Sequence, residues 1–349
     1  MRAIADIPAD AVTRIAAANN FSGTISIAPL AGGASLDFVF GHADRANRIP
    51  NTIETRFAMA SGCKGFTAVA IWLLIEAGRI GLETRLSDCV TSRQFHFGDK
   101  ITVGQLLNHT SGVPDYFSEE IESDYAALWR ERPSYSMRTV RDFLPLFESA
   151  PMKGEPGQGF LYNNAAFILL GLVVEELTGQ DFRDFVAARI FDPCAMTRSG
   201  YFAMDALPAK CAQGYLSPDP ADFRSNIYAV PVIGGPDGGA YTTVEDMRRF
   251  WDTLLAGRLL KPETVARMIE PSVHVNPDET DFSYGYGVWL RQTPEGRVVW
   301  LEGGDPGVAL ESLVWLDHGI VATVLSNVTV GAGEITNVLA ELLTGKRLY

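Results

Sequence analysis

The first forty residues show two hydrophobic periods that predict different elements. Residues 8–19 carry Val12 and Ile15 on one helical face and predict a short amphipathic helix. Apolar and polar side chains then alternate singly over 23–28 and again over 35–40, which is the period of a strand. Because a glycine-rich turn separates these two segments, the pattern predicts a β-hairpin.

A long apolar segment follows, from Ser61 to about Ala77. It is too long for a strand and is apolar on nearly every side, so it predicts a helix buried inside a domain. Its longest uninterrupted apolar run, residues 68–75, is far shorter than the roughly 20 residues of a membrane-spanning helix. We therefore expect no membrane span.

Helical periods dominate the middle of the chain, and Pro- and Gly-rich loops separate them. The predicted helices cover residues 103–109, 140–147, 165–177 and 181–190. Strand periods return near the carboxyl end, where turn residues separate three closely spaced segments. These predicted strands cover 297–301, 310–316 and 319–325, and a last helix covers about 334–343.

Together the elements predict an α/β (α+β) fold. The amino-terminal hairpin and the three late strands are expected to form one antiparallel sheet, with the first and last helices covering it. The expected organisation is a discontinuous sandwich lobe, residues 1–85 and 226–349, with a mainly helical lobe, residues 86–225, inserted between its two parts.

Composition and charge narrow the possible partners. Of the 349 residues, 47% are hydrophobic and 20% charged, as in ordinary globular proteins. The formal net charge is −13 and the chain contains only six lysines, which disfavours binding to nucleic acid or to an anionic membrane. A small molecule is the expected partner. The amino terminus lacks the pattern of a signal peptide, so a cytoplasmic location is expected.

Several common catalytic motifs are absent from the sequence. There is no Gly-x-Ser-x-Gly, no phosphate-binding glycine loop and no His-Glu-x-x-His. The four cysteines are far apart and lack zinc-ligand spacing, so we expect reduced thiols, no metal and no organic cofactor. None of the histidines is placed as the base of a serine nucleophile; they are His42, His96, His109, His274 and His318.

Ser61 and Lys64 form the one Ser-x-x-Lys sequence in the chain, at the start of the apolar helix. Residues three apart share a helical face, so the Ser61 hydroxyl and the Lys64 amine can meet. A lysine amine in apolar surroundings can accept a proton. The first helical turn also presents the Ser61 N–H where an oxyanion would form. The pair is therefore a candidate nucleophile and base.

The sequence around this pair matches further blocks in a fixed order. This order resembles the serine β-lactamase and penicillin-binding-protein superfamily, and most of all its class C β-lactamase-like branch, which includes family VIII carboxylesterases. The resemblance implies the β-lactamase-like fold and an acyl-enzyme on the serine. The blocks are residues 40–44, 55–60, 61–64, 101–114, 159–164, 169–179 and 238–247.

The family's Tyr-x-Asn motif falls on Tyr162 and Asn164. By resemblance, Tyr162 joins Lys64 in moving the Ser61 proton to the leaving group, and Asn164 binds the acyl part of the substrate and Lys64. Burial in a loop is the alternative for Tyr162. Tyr116 is expected either to line the cleft or to pack in the core.

The third motif departs from the family pattern. The matching stretch is Leu301-Glu-Gly303-Gly304, in which the two glycines fit the family pattern. By resemblance, the Gly304 N–H is the second oxyanion donor beside that of Ser61. Leu301 replaces a Lys or His that helps to hold the substrate's carboxylate in β-lactamases and DD-peptidases. Glu302 is expected on the opposite face of the strand. This shifts the expectation toward an esterase whose substrate is uncharged at this point.

We therefore expect a serine hydrolase of small esters, of the carboxylesterase type in this superfamily. An amide hydrolase, such as a β-lactamase, D-aminopeptidase or DD-peptidase, is the alternative. An acyltransferase or a catalytically idle relative is the least favoured.

Overall fold

The computed structural model describes residues 1–118 and 124–348. The strands are β1 Gly23–Pro29, β2 Leu36–Phe40, β3 His42–Asp44, β4 Ile49–Pro50, β5 Phe57–Ala58, β6 Tyr241–Thr242, β7 Val273–His274, β8 Phe282–Tyr284, β9 Trp289–Thr293, β10 Gly296–Asp305, β11 Val308–Trp315 and β12 Ile320–Ser326. Eight of them form a central antiparallel sheet in the order β2-β1-β12-β11-β10-β9-β8-β7.

The two ends of the chain meet in this sheet. Strand β1 pairs with β12 from Gly23 opposite Ser326 to Pro29 opposite Ile320, while β2 closes the hairpin on the other side of β1. The predicted antiparallel sheet is thus confirmed. It is larger than predicted, because the short strands β7, β8 and β9 extend it beyond β10.

Helices cover both faces of the sheet, and the described residues form eleven of them. They are α1 Ala9–Ala18, α2 Lys64–Glu76, α3 Leu86–Cys89, α4 Val103–Leu107, α5 Leu128–Glu131, α6 Val140–Phe143, α7 Asn164–Thr178, α8 Phe182–Val186, α9 Val244–Leu255, α10 Pro262–Met268 and α11 Ala332–Thr344. Helices α1 and α11 pack on one face, and α2 and α9 contribute to the core on the other. Strand β11 is therefore buried along its whole length.

Two predicted helices change from α-helical to another helical geometry before their predicted ends. The segment 140–147 is α-helical only to Phe143, because Pro145 cannot donate the backbone hydrogen bond that would continue α6, and a 3-10 turn follows. The segment 181–190 is helix α8, which continues as one π-helical turn, Ala187–Phe191. Helix α7 ends at Gly179, whose φ of +70° favours glycine.

Helix α9 is missing from the sequence-based prediction, although its signal is present in the sequence. Val244, Met247, Trp251 and Leu254 recur at helical spacing and are buried, and the Thr243 side chain caps the amino terminus.

No helix within the described residues is long and apolar enough to cross a membrane. The division of the chain into two lobes at residues 85 and 225 remains a prediction.

Candidate active site

Ser61 lies in a single 3-10 turn, Ala60–Cys63, that leads into helix α2. The turn begins at Ala60, a buried residue whose φ is +43°, and such a conformation is strained for a side chain other than glycine. Because Ser61 belongs to the first turn, its N–H has no partner within the helix. The strained entry thus leaves both the hydroxyl and the amide of Ser61 at the start of a buried helix.

Lys64 is 2% exposed, and three oxygens surround its amine. Lys64 Nζ lies 2.8 Å from Ser61 Oγ, 2.8 Å from Asn164 Oδ1 and 2.7 Å from the carbonyl oxygen of Asp237. The two carbonyl-type oxygens can only accept hydrogen bonds, so they take two N–H bonds of the amine. The remaining position of the nitrogen faces Ser61, the only one of the three partners that can also donate a proton.

Asn164 is placed by the amino-terminal cap of α7. Asn163 Oδ1 accepts from the N–H of Ala166 at 2.7 Å, which makes Asn163 the capping residue. The two oxygens of Asp115 accept from the N–H groups of Asn164 and Ala165, each at 3.0 Å. The cap fixes the start of the helix, and the side chain of Asn164 is thereby left to contact Lys64.

Two opposing effects act on the pKa of the buried Asp115 carboxyl. Burial raises the pKa of its carboxyl to about 6, although the hydrogen bonds from the backbone of Ala165 and Asn164 lower it. It is one of the residues that sequence reasoning missed. Asp115 directly follows the block 101–114, and nothing in the sequence around it indicates a contact with α7.

Tyr162 lies beside Lys64, with Lys64 Nζ 5.0 Å from the centre of its ring. Its ring is held between two others: His109, 4.5 Å away between centroids, and Trp289, which is parallel to it at 6.0 Å. His109 is fully buried, burial lowers its pKa well below the usual value, and its Nδ1 accepts from the N–H of Asn163. His109 is therefore a neutral support for Tyr162.

Asp237 supplies a second buried carboxyl group next to Lys64. While its carbonyl oxygen accepts from Lys64, its carboxylate accepts a hydrogen bond from the Tyr116 hydroxyl. Burial raises the pKa of the Asp237 carboxyl. Tyr116 both lines the cleft and packs in the core, so its two expected roles coincide. Asp237 was not singled out from the sequence.

Gly303 and Gly304 have opposite environments on strand β10. A Cβ atom on Gly303 would lie 2.1 Å from the Met59 carbonyl oxygen and 3.0 Å from Ser61 N, so only glycine allows the strand to approach the Ser61 turn this closely. A Cβ atom on Gly304 would meet no atom within 4 Å. Gly303 thus sets the distance between strand and turn, and Gly304 faces open space beside Ser61.

Leu301 and Glu302 lie on opposite faces of β10, but their assignment to those faces was wrong. Leu301 is 3% exposed and packs on Gly65 of α2, where an added Cβ would lie 2.6 Å from Leu301 Cδ2. Glu302 is exposed and lines a cavity next to Ser61. The strand turns its odd-numbered side toward α2, and it is therefore Glu302 that meets the cavity.

Two cavities flank Ser61 and Gly304, which line both of them. The first has a volume of about 400 Å³ and is called here the Asp237 cavity; its lining includes Tyr116, Phe117, Asn164, Asp237 and Asp305. The second has a volume of about 430 Å³ and is called the aromatic cavity; its other lining residues are Phe160, Tyr162, Trp289, Glu302 and Gly303. Among the described residues that line them, three are acidic and none is Lys, Arg or His.

The predicted catalytic residues are thus close together. Two predicted site residues line neither cavity: Lys64, which lies behind Ser61 and contacts its hydroxyl, and Leu301, which packs on α2. Cys63 lies between Ser61 and Lys64 in sequence but is fully buried, and burial raises the pKa of its thiol to about 12. Over residues 1–118 and 124–348, no group of three or more His, Cys, Asp or Glu side chains is arranged to hold a metal ion.

Comparison with known proteins places this geometry in a family. The family model described as Beta-lactamase matches residues 15–344. A crystal structure of a penicillin binding protein from Bacillus halodurans is 43% identical, and its alignment covers 95% of this chain and 99% of that one with a TM-score of 0.89. The predicted β-lactamase-like fold is thereby confirmed.

Two curated proteins add sequence similarity at lower identity. Penicillin-binding protein 4* of Bacillus subtilis is 28% identical over 324 residues, which are 88% of this chain and 68% of that protein. Esterase EstB of Burkholderia gladioli is 29% identical over 257 residues, which are 65% of this chain and 64% of EstB. Relatives on this fold thus carry the names of both penicillin-binding proteins and an esterase.

Proposed function

Because the chain belongs to the beta-lactamase family, we propose that it is an esterase-type member that acts through an acyl-enzyme on Ser61. At the level of the family, it is a serine hydrolase of the β-lactamase and penicillin-binding-protein superfamily. The proposal concerns its nucleophile and its substrate class. The observation that carries the nucleophile is the 2.8 Å distance between Lys64 Nζ and Ser61 Oγ.

The first step transfers the Ser61 proton to Lys64. With two N–H bonds donated to Asn164 and the Asp237 carbonyl, a neutral Lys64 amine directs its lone pair at the Ser61 hydroxyl. Ser61 Oγ then bonds to the carbonyl carbon of the substrate. The Ser61 and Gly304 amides stabilise the negative charge that develops on the carbonyl oxygen.

The second step expels the alcohol. The bond between the carbonyl carbon and the alcohol oxygen breaks, and the proton reaches that oxygen from Lys64 through Tyr162, whose ring lies beside the amine. Water then attacks the acyl-enzyme, the same groups take its proton, and Ser61 is released with a carboxylic acid as product. The steps use side chains and backbone amides of this chain together with water.

The lining of the cavities supports an ester rather than a substrate that carries a carboxylate. A carboxylate needs a cationic or hydrogen-bond-donating partner, and charge-assisted contacts of that kind contribute about 1.5–3 kcal/mol. Leu301 is buried, and the neighbouring position presents the acidic Glu302 instead. A substrate carboxylate would therefore meet repulsion where β-lactam and peptidoglycan substrates need attraction.

A panel of substrates tests the proposal. We expect p-nitrophenyl acyl esters to be hydrolysed with kcat/KM at least about a hundredfold above that for a cephalosporin or a D-Ala-D-Ala peptide. Ser61→Ala should lose this activity, while Ser35→Ala, at an exposed serine of the β1–β2 hairpin, should retain it. Ester hydrolysis that survives Ser61→Ala would contradict the nucleophile.

Amide hydrolysis is the second candidate, because the structure with 43% identity is described as a penicillin binding protein. It uses the same Ser61, Lys64 and Tyr162, with an amine as the leaving group. The panel separates the two candidates: kcat/KM for the cephalosporin or the peptide equal to or above that for the esters would replace the esterase proposal.

A further inference from the structure

The aromatic cavity combines three aromatic rings with one carboxylate. Phe160, Tyr162 and Trp289 are half-buried in its lining, and Glu302 is the only charged residue among the described residues that line it. Aromatic faces attract cations through their quadrupole, and a nearby carboxylate adds a direct ionic attraction. This is the composition of a site for an organic cation.

The rings are held in place by their neighbours. Trp289 contacts Phe160 at 5.6 Å between centroids, lies parallel to Tyr162 at 6.0 Å, and packs edge-on against Tyr284 at 4.8 Å. Behind it, Trp300 continues the stack at 6.2 Å. Side chains packed on several sides lose little further freedom when a ligand binds, so this lining is pre-organised.

The carboxylate of Glu302 acts electrostatically within this cluster. Tyr284 is buried, and after burial the second cause that raises the pKa of its hydroxyl is the negative charge of Glu302. Glu302 itself is exposed on the cavity side of β10. The cavity therefore has a carboxylate beside its aromatic rings.

The position of the cavity relative to Ser61 indicates which part of a substrate would occupy it. Ser61 and Gly304 separate it from the Asp237 cavity. Tyr162, the residue proposed to protonate the leaving group, lines the aromatic cavity, whereas Asn164, proposed to bind the acyl part, lines the other. The aromatic cavity thus belongs to the leaving group.

We propose that the aromatic cavity binds an alkylammonium group carried by the alcohol part of the substrate, so that the preferred substrates are esters of amino alcohols. This inference rests on the proposed esterase function of Ser61 for its place in the reaction. The binding of the cation itself depends only on Phe160, Tyr162, Trp289 and Glu302, and it can be measured without turnover.

Choline and 3,3-dimethylbutan-1-ol are a matched pair for this test, because they have nearly the same shape and differ by one positive charge. We expect calorimetric titration of the full chain to show choline binding at least about tenfold more tightly than the neutral alcohol. Glu302→Gln should reduce that ratio severalfold. Glu263→Gln, which removes an equal charge from an exposed position at the start of α10, should leave it unchanged.

Hydrolysis of the matching thioesters adds the kinetic comparison. Acetylthiocholine should have a kcat/KM at least about tenfold above that of S-(3,3-dimethylbutyl) thioacetate, mainly through a lower KM. Equal affinity for choline and the neutral alcohol, or a ratio unaffected by Glu302→Gln, would overturn the proposal.

Hydrolysis of p-nitrophenyl acetate by the same samples tests the esterase function separately. Turnover of this ester without a preference for choline would overturn the cation site and leave the proposed function intact. Preference for choline without any ester turnover would support the cation site and contradict the proposed function.

Discussion

The surroundings of Lys64 and the cavity side of strand β10 are close together in space and differ in how they are built. Lys64 is buried, and each hydrogen-bonding position of its amine is taken by an oxygen from the first residue of a helix, from a 3-10 turn or from a loop. Glu302, on β10, is exposed and belongs to the cavity surface. Substitutions in the surroundings of Lys64 are therefore expected to abolish catalysis, whereas the exposed side chain of Glu302 can be substituted without that loss.

We infer that the surroundings of Lys64 determine the reaction and that the cavity side of β10 determines substrate preference. A buried polar group left without its partner costs about 1–3 kcal/mol, so the Lys64 network is retained or lost as a unit. A side chain on a cavity surface can be exchanged at little cost to stability. We therefore expect substitutions near Lys64 to reduce every activity together, and substitutions at Glu302 to change which substrate is preferred.

The largest expected effect comes from Lys64→Met, which keeps the volume of the side chain and removes the base. We expect kcat/KM for a p-nitrophenyl ester to fall about a thousandfold or more, because Ser61 then has no proton acceptor. Lys100→Met, at an exposed lysine, is the matched control and should retain activity. A fall of less than tenfold with an intact circular dichroism spectrum would remove Lys64 from the mechanism.

The next largest effect is the difference in kcat/KM between alanine substitutions at the two neighbouring glycines of β10. Gly303→Ala places a methyl group against the Met59 carbonyl oxygen and should push the strand away from Ser61, which would lower kcat/KM about a hundredfold. Gly304→Ala retains the backbone N–H and meets open space, so its loss should be far smaller. Equal losses in the two variants would contradict the assignment of Gly303 as the glycine that sets the distance between strand and turn.

Leu301→Ala and Glu302→Ala compare the two faces of the same strand. Leu301→Ala creates a cavity against Gly65 and should lower the free energy of unfolding by about 3 kcal/mol. Glu302→Ala should change it by less than about 0.5 kcal/mol. Urea unfolding monitored by tryptophan fluorescence measures both. The reverse order would show that the faces of β10 are assigned wrongly.

The site residues that could be predicted from the sequence are those in short motifs, and the ones that were missed make contacts between distant parts of the chain. Ser61, Lys64, Tyr162 and Asn164 belong to short motifs, and the structure places them in mutual reach. Asp237 contacts Lys64 through its backbone carbonyl, and a carbonyl carries no signal in the sequence. Contacts of this kind depend on tertiary packing alone.

The faces of β10 could not be predicted for a related reason. The alternation of Leu301 and Glu302 follows from the geometry of a strand, but which of the two faces α2 depends on where the helix packs. The sheet itself was easier to predict, because β1, β2, β10, β11 and β12 are long enough to show a strand pattern. Strands β7 and β8 contain only two or three residues and show none.

The smallest expected effect concerns pH and Asp115. A carboxyl whose pKa is about 6 in the folded protein and 3.8 in the unfolded chain binds more protons when folded, so its contribution to stability falls as pH rises from 4 to 6. Asp115→Asn removes this titration. The difference in unfolding free energy, native minus variant, should therefore be up to about 2 kcal/mol larger at pH 4 than at pH 7. A difference that is constant with pH would contradict the raised pKa.

The most direct test of the central claim is mass spectrometry of the protein quenched in acid during hydrolysis of a p-nitrophenyl ester. Trypsin cleavage after Arg56 and Lys64 releases residues 57–64, which contain both Ser61 and Cys63, and fragmentation distinguishes the two. We expect the mass of one acyl group on Ser61, and none in the Ser61→Ala variant. An acyl group on Cys63 or on any residue outside this peptide, with Ser61 unmodified, would contradict Ser61 as the nucleophile.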